Sequence, residues 1–333
     1  MFIVTSYPLA VIFCVVTMLC WGSWVNTQKN VSQTWRYELY YWDYLLGVLL
    51  LTLVMGLTMG SIGDKGAHFI PNLLQLSTQT FLSAFLAGVV FNVGGILLSA
   101  STAVSAISVA FPICVGLALA IGCVNNYMLQ PKGDPLMLFG GVALVVTSVM
   151  LSGFASSHIQ RKKGIDIRKG ILTATASGIV MAFFYRFGAA AIDFENLESP
   201  VAGKATPYTA TFLLAMGKLC SNFLFGTYLM KRPIKGQPVS YKDYFKGPWK
   251  IHLWGLVGGA MWGLATLFNY LASGSAGVTI AYSLGQGGPM IATLWGVLYW
   301  KEFKGTGKAA YCLLALMLVF FLIGWGFIVA SGA

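Results

Sequence analysis

Ten long apolar runs, separated by short polar stretches, dominate the hydrophobic pattern of this chain. A helix that crosses the hydrocarbon core of a membrane needs about 20 mostly apolar residues. The runs predict transmembrane helices at residues 6–26, 41–60, 79–99, 103–124, 135–154, 170–190, 207–229, 251–272, 278–299 and 309–330. Small residues around Ser101 join the third and fourth segments, and small residues around Ser275 join the eighth and ninth. The same tight connection therefore recurs at the same place in each set of five segments.

The composition supports a membrane protein. Hydrophobic residues make up 57% of the 333 residues, charged residues make up 9%, and the mean hydropathy is +0.75. Soluble domains average about 25% charged residues, so this chain has too few charges to cover a soluble surface. The six cysteines lie in apolar segments and have no metal-ligand spacing with the three histidines, which predicts buried thiols and no metal site. We expect an all-α integral membrane protein in contact with lipid.

The basic residues of the loops predict an orientation. Loops that follow odd-numbered segments carry sixteen Lys and Arg residues, whereas the other loops carry three. Because positively charged loops stay in the cytoplasm, both chain termini are predicted to lie outside. The net charge of +11 is therefore a topology signal and does not indicate a nucleic-acid partner.

A short duplication relates the third and fourth segments to the eighth and ninth. Asn92 precedes Pro112 by 20 residues, and Asn269 precedes Pro289 by the same separation, 177 residues further along. Repeated halves with interrupted helices are typical of secondary transporters. Because five helices is an odd number, the second half is predicted to be inverted relative to the first. The expected units are a first five-helix repeat at 1–154, a basic cytoplasmic linker at 155–169 and a second five-helix repeat at 170–333.

Three charged residues fall inside the predicted helices, where a charge costs about 3 kcal/mol and usually serves a function. Lys218 lies midway along the seventh segment, and we expect it in the transport cavity as a substrate donor or half of a switching ion pair. Asp43, near the cytoplasmic start of the second segment, suits proton coupling, or an ion pair with Lys218. Arg186, toward the outer end of the sixth segment, is a gating or coupling candidate. The alternative for Asp43 and Arg186 is an anchor at the headgroups.

The polar residues of the ninth segment predict an opened helix. The run from Tyr282 to Pro289 ends in three glycines and a proline within five residues. Such a sequence cannot form a regular helix, and open backbone is tolerated in a membrane only against protein or a watery cavity. We expect Gln286 to face that cavity and the ninth segment to be more broken than the fourth, which keeps Ala110 and Phe111 before its proline.

Amide and aromatic residues complete the predicted site. Asn92 and Asn269 occupy matched positions, where an amide either binds a polar solute or hydrogen-bonds to a neighbouring helix. Trp21 and Trp262 lie deeper than the interfacial tryptophans, and either stack on a ring-shaped solute or pack structurally. The expected solute site comprises Trp21, Asn92, Lys218, Trp262, Asn269, Tyr282 and Gln286. A further pattern, Gly255, Gly259 and Gly263 on one face of the eighth segment, predicts close contact with another helix.

Three segments carry a resemblance to known transporters: residues 21–24, residues 40–63 and residues 295–302. With the ten helices in two inverted fives, they resemble the drug/metabolite transporter superfamily, in the branch of the glucose- and rhamnose-type sugar-uptake permeases and the ureide permeases. Tyr40, Asp43 and Tyr44 are similar to a motif of plant ureide permeases. Those plant proteins have a long central loop that the short linker here lacks, so specificity for allantoin does not carry over. The resemblance implies import of small polar solutes, commonly with protons.

We therefore expect a multi-pass permease of the cytoplasmic membrane that imports a small neutral polar solute by proton symport. A monosaccharide is the first expectation, and a ureide or nucleobase-like heterocycle is the second. No enzyme activity and no cofactor are expected, because the chain has neither a phosphate-binding loop nor a catalytic pair of His and acid. The rivals are an exporter of lipophilic compounds from the same superfamily and a non-transporting membrane sensor. A homodimer is compatible with the sequence.

Overall fold

The structure, a computed structural model, describes residues 1–105, 107–163, 168–234 and 236–333. Within these ranges the chain is helical, apart from loops and an isolated β-bridge between Ile192 and Ala205. Nine helical spans of the described part are long and apolar enough to cross a membrane. The all-α integral membrane fold is therefore confirmed. Lys235 and residues 164–167 of the predicted linker lie outside the described residues.

Fifteen α-helices and one π-helical turn make up the described part of the chain. In chain order they are α1 (Tyr7–Ser23), α2 (Val25–Val31), α3 (Tyr37–Leu57), α4 (Phe69–Leu74), α5 (Thr78–Val104), α6 (Ile107–Leu129), α7 (Pro135–Lys163), α8 (Arg168–Met181), α9 (Phe184–Ala190), α10 (Pro207–Lys231), α11 (Tyr241–Phe245), α12 (Trp249–Ala276), α13 (Val278–Gly285), α14 (Gly288–Leu294), the π-helical turn (Trp295–Tyr299) and α15 (Lys308–Ala330). The short helices α4 and α11 lie in loops, and the others build the spans.

Several helix ends differ from the predicted segments; the first span, for example, continues through α2 to Val31. The fifth segment was predicted to end at residue 154, but α7 continues to Lys163. It can do so because residues 155–163 contain neither Gly nor Pro, and a helix satisfies its own backbone hydrogen bonds beyond the membrane as well as within it. The sixth segment, predicted as one helix, is divided into α8 and α9 by a turn at Ala182 and Phe183.

The ninth predicted helix is broken at its glycine-rich centre. Helix α13 ends at Gly285 and α14 begins at Gly288. Pro289 has no N–H, so the carbonyl of Gly285 has no donor four residues along. Pro112, in contrast, lies inside the continuous helix α6. The prediction that the ninth segment is more broken than the fourth is therefore confirmed.

Glycines bring the spanning helices into backbone contact. A Cβ atom on Gly259 of α12 would lie 1.9 Å from the carbonyl oxygen of Tyr44 on α3, and one on Gly255 would lie 2.3 Å from Cβ of Asp43. In the same pair of helices, a Cβ atom on Gly47 would lie 2.1 Å from the carbonyl oxygen of Leu256. Only hydrogen at these positions permits so close an approach. The predicted close contact of the glycine face of α12 is therefore confirmed.

Spanning helices of each half of the chain pack against spanning helices of the other half. Helix α3, the second span, packs on α12, the eighth, and α10, the seventh, packs on α5, the third. Likewise α1 packs on α12, and α8 packs on α5. This packing is expected if residues 1–154 and 170–333 are related halves that share one core. The inverted orientation of the halves stays a prediction.

Candidate solute-binding site

An aromatic cavity is lined by residues of α1, α3, α5, α6, α8, α9 and α12, together with residues at the break between α13 and α14. The empty space between the lining residues, including the open side, is about 570 Å³. The lining consists of Trp21, Trp24, Tyr41, Tyr44, Phe91, Gly95, Leu98, Phe111, Val115, Ala118, Met181, Phe184, Trp262, Gly285, Gln286 and Gly288. Of the predicted solute-site residues, the cavity brings together Trp21, Trp262 and Gln286.

The walls of the cavity are flat rings from different helices. The rings of Trp21 and Trp262 face each other at 27° with their centroids 6.5 Å apart. Phe91 packs on Trp262 with centroids 4.3 Å apart, and Tyr41 stacks on Tyr44 at 5.2 Å. Tyr41 and Tyr44 are three residues apart on α3, and residues at this spacing share one face of a helix. The arrangement offers ring faces on several sides to a small flat solute.

Unpaired polar atoms mark where a solute would be held. Within the described part of the chain, the indole N–H of Trp21 and the hydroxyl of Tyr41 are buried without a hydrogen-bond partner. A buried polar group without a partner costs about 1–3 kcal/mol, which a bound solute could recover. Gly285, whose carbonyl lacks its helical donor, and Gln286 line the same space. The cavity thus presents a few donors and acceptors among mostly aromatic surfaces.

Lys218 lies behind the cavity wall and does not line it. Its ammonium group donates a hydrogen bond to the Tyr44 hydroxyl at 3.2 Å. The nitrogen lies 3.4 Å from the ring centroid of Trp262, 4.2 Å from that of Phe91 and 4.7 Å from that of Tyr44. Gly88 lets α5 approach this point, since a Cβ atom there would lie 2.7 Å from the backbone nitrogen of Lys218. The structure therefore places Lys218 against three rings that also line the cavity.

Asp43 lies outside the cavity in a polar cluster near the end of α11 and the start of α12. Its carboxylate is 2.9 and 3.0 Å from Nδ1 of His252, and it accepts a hydrogen bond from the Tyr244 hydroxyl at 2.5 Å. The ring of Trp35 packs edge-on against His252. The ion pair with Lys218, which the sequence left open, is not formed, because the partner of Asp43 is His252.

The other predicted residues hold helices together. Asn269 accepts a hydrogen bond from Tyr185 and donates one to the carbonyl of Ala281. Tyr282 donates to the carbonyl of Ala118 at 2.8 Å. None of these side chains except that of Ala118 lines the cavity. Arg186, half-buried, donates to the carbonyl of Asn125 at 3.2 Å.

Asn92 differs from its counterpart Asn269. It is fully buried, does not line the cavity, and neither of its amide atoms has a hydrogen-bond partner in the described ranges. Its role as a solute ligand stays a prediction.

Comparison with known proteins assigns the family. The family model described as ureide permease matches residues 40–166 and 160–331, which is most of the chain. This chain belongs to the ureide permease family. It is therefore a multi-pass membrane transporter of a small-molecule solute and not an enzyme, as the sequence indicated.

Relatives within and near the ureide permease family cover most of the chain. Ureide permease 1 and ureide permease 2 of Arabidopsis thaliana are each 22% identical over 99% of this chain and 99% of their own length. A Lactococcus lactis protein whose name proposes sugar uptake is 24% identical over 79% of this chain and 84% of its own. A solved crystal structure covers 96% of this chain and 98% of its own, with a TM-score of 0.57 and 15% identity. That last likeness shows the fold alone.

Sequence reasoning missed several aromatic residues that line the cavity. The sequence predicted roles in transport for Asp43 and Asn92. It predicted none for Tyr41 and Tyr44, which lie within two residues of Asp43, or for Phe91, which precedes Asn92. Phe111 and Phe184 also line the cavity. One signal was present in the spacing of these rings. Trp21 and Trp24, at the end of α1, are three residues apart, as are Tyr41 and Tyr44 in α3, so each pair shares a helix face. Which side of each helix faces the cavity depends on packing.

Proposed function

We propose that this permease imports a small neutral solute with a flat, hydrogen-bonding ring of the ureide or nucleobase type. The observation that carries the proposal is an aromatic cavity with two unpaired donors, the indole N–H of Trp21 and the hydroxyl of Tyr41. A flat ring stacks on aromatic faces and presents its carbonyl and N–H groups at its edge. The ureide permeases of Arabidopsis among the relatives support the same class of solute.

A monosaccharide, the first expectation from the sequence, is the second candidate. The nearly parallel rings of Trp21 and Trp262 would also hold a sugar ring, and one relative is named for sugar uptake. A sugar carries a hydroxyl on almost every carbon, and each hydroxyl that leaves water needs a partner. The mostly aromatic lining offers few partners, which favours the flat heterocycle.

Uptake into proteoliposomes tests the solute. Purified protein is reconstituted and supplied with labelled allantoin, uracil, glucose or rhamnose. We expect accumulation of a heterocycle, and Trp21→Phe, which keeps a ring but removes the N–H, should raise its KM about tenfold. Trp325→Phe is the matched control, because Trp325 also has an unpaired indole N–H but lies away from the cavity. Accumulation of a sugar, and of no heterocycle, would contradict the proposal and identify a monosaccharide as the solute.

We propose further that Asp43 couples uptake to protons. Asp43 touches His252 and the backbone face of α12 at Gly255, and α12 carries Trp262 into the cavity. A proton on Asp43 would weaken its pairing with His252 and alter the contact between α3 and α12. Protonation of Asp43 would then affect the cavity through the contact between α3 and α12.

A pH gradient imposed on the same proteoliposomes tests this coupling. Wild-type uptake should rise when the outside is acidic, and Asp43→Asn should make uptake insensitive to the gradient. Glu195→Gln, which removes an exposed carboxylate, serves as the control. Gradient-driven uptake that survives in Asp43→Asn would exclude Asp43 as the coupling group.

The location and topology are further proposals. We propose that the protein lies in the cell membrane with both termini outside, and that residues 1–154 and 170–333 form inverted repeats. A C-terminal reporter that works only outside the cytoplasm should be active, and one that works only in the cytoplasm should be inactive.

A homodimer is measurable by light scattering in detergent. Efflux of lipophilic compounds without uptake of any polar solute would favour the exporter.

A further inference from the structure

The ammonium group of Lys218 occupies an aromatic cage. Three rings surround it, with centroids 3.4 Å away for Trp262, 4.2 Å for Phe91 and 4.7 Å for Tyr44. The side chain is fully buried. Cages of this kind bind quaternary ammonium ligands, because ring faces carry negative potential. In this chain the cage is filled by a cation of the protein itself.

The charge of Lys218 has no carboxylate partner in the described ranges. The ion pairs there join other residues, and Asp43, the partner that the sequence offered for Lys218, pairs with His252. A buried cation without an acid depends on whatever dipoles and ring faces surround it. For Lys218 these are the three rings and the oxygen of Tyr44. When Lys218 is protonated, its positive charge therefore lies beside the cavity without a carboxylate to cancel it.

The same three rings form part of the cavity wall. Tyr44, Phe91 and Trp262 line the cavity, whereas Lys218 does not. An uncancelled charge acts strongly over a few ångströms where water is scarce, because the effective dielectric constant is low. The field of Lys218 therefore reaches the space where a solute would sit. A cationic solute in that space would be repelled by the protonated lysine.

We propose that Lys218 determines the charge selectivity of the cavity by excluding cationic solutes from an aromatic site that would otherwise accept them. Removal of the amine would remove this repulsion, and the aromatic faces that line the cavity would then suit a quaternary ammonium ion. The inference rests on the proposed cavity as the solute site. It depends neither on which neutral solute is carried nor on proton coupling.

Two ligands of equal shape and different charge test this role. Choline and 3,3-dimethylbutan-1-ol differ in that a quaternary nitrogen replaces a quaternary carbon. Their binding to purified protein in detergent is measured by calorimetry and by the fluorescence of the cavity tryptophans. We expect the wild type to bind the neutral alcohol about tenfold more tightly than choline. In Lys218→Met the ratio should shift about tenfold or more toward choline.

Two control variants separate charge at this site from charge elsewhere. Lys218→Arg retains the cation and should keep the wild-type ratio. Lys308→Met removes an exposed charge at the start of α15 and should also keep it. Gel filtration and thermal unfolding establish that each variant is folded.

An unchanged ratio in folded Lys218→Met overturns the proposal, and so does failure of both ligands to bind both wild type and variant. If Lys218→Met does not fold, the wild type decides: choline binding as tight as that of the alcohol overturns the proposal. Failure of ureide uptake would leave these ratios unaffected. The two proposals can therefore fail separately.

Discussion

Tyr185 donates a hydrogen bond from its hydroxyl to Oδ1 of Asn269 across 2.5 Å, in the buried space between α9 and α12. Asn269 also bonds to a third helix, because its Nδ2 donates a hydrogen bond to the carbonyl of Ala281 in α13 at 2.8 Å. One amide thus joins three helices beside the broken span. Asn92, its counterpart in the sequence duplication, has no such partners among the described residues.

This difference predicts unequal costs for the same substitution. Asn269→Leu should lower the free energy of unfolding by about 1–2 kcal/mol, because it removes the buried hydrogen bonds of this amide to the Tyr185 hydroxyl and the Ala281 carbonyl. Asn92→Leu should be neutral or stabilising, because it removes a buried amide that has no hydrogen-bond partner among the residues the structure describes. Thermal unfolding in detergent measures both. Equal destabilisation by the two variants would contradict the prediction.

The contact of α3 with α12 predicts intolerance of a single methyl group. Gly259→Ala places Cβ 1.9 Å from the carbonyl oxygen of Tyr44, so the helices must separate. We expect a loss of about 2 kcal/mol or more in stability, with reduced uptake. Gly326→Ala in α15 is the control, because nothing lies within 4 Å of the added atom. A Gly259→Ala protein as stable as Gly326→Ala would show that this contact is looser than described.

A salt bridge joins α2 to the loop that follows the π-helical turn. Its contribution to stability should be measurable by exchanging the two charges. Lys29 pairs with Glu302 and lies over the ring of Trp300, at 4.2 Å from its centroid. The pair is partly exposed, so its coupling energy should be about 0.5 kcal/mol. Lys29→Glu and Glu302→Lys should each destabilise the protein, and the double variant should regain part of the loss. A double variant whose loss equals the sum of the single losses would show that the pair contributes nothing.

The hydrogen bond from Tyr244 to Asp43 predicts a pH dependence of stability. Burial, followed by the hydrogen bond to Asp43 and its charge, raises the pKa of the Tyr244 hydroxyl above its ordinary value of 10.0. A raised pKa in the folded state means that the contribution is complete below about pH 10 and declines above it, as the unfolded chain loses its proton first. Tyr244→Phe should therefore cost about 1 kcal/mol at pH 7 and less above pH 10. Tyr299→Phe, which removes an exposed hydroxyl, is the control.

Unfolding curves at pH 7 and above pH 10 provide the measurement. A difference between wild type and Tyr244→Phe that grows with pH would contradict the prediction, because it would mean that the folded state favours the ionised hydroxyl.

Local patterns were sufficient for several features of the fold. The low charge and long apolar runs predicted a helical membrane protein, and the glycines before Pro289 predicted the break in the ninth span. The four-residue spacing of Gly255 and Gly259 predicted a close helix contact. These features depend on the chemistry of consecutive residues or of one helix face, which the order of residues specifies directly.

The composition of the site was less accessible. Trp21, Trp262 and Gln286 were expected at the cavity and lie there, whereas Asn269 and Tyr282 bond to other helices. A buried amide or hydroxyl looks the same in sequence whether its partner is a solute or a carbonyl of the next helix. The pattern of residues could not separate these alternatives.

The sequence by itself therefore determined the membrane fold, the family and the place of the broken helix. Only the tertiary structure decided that Asp43 pairs with His252 and that Lys218 lies in a cage of rings behind the cavity. Each of these contacts joins residues from helices far apart in the chain. Their distances depend on how glycine faces such as that of α12 let the helices approach, and on which side of each helix then faces its neighbour.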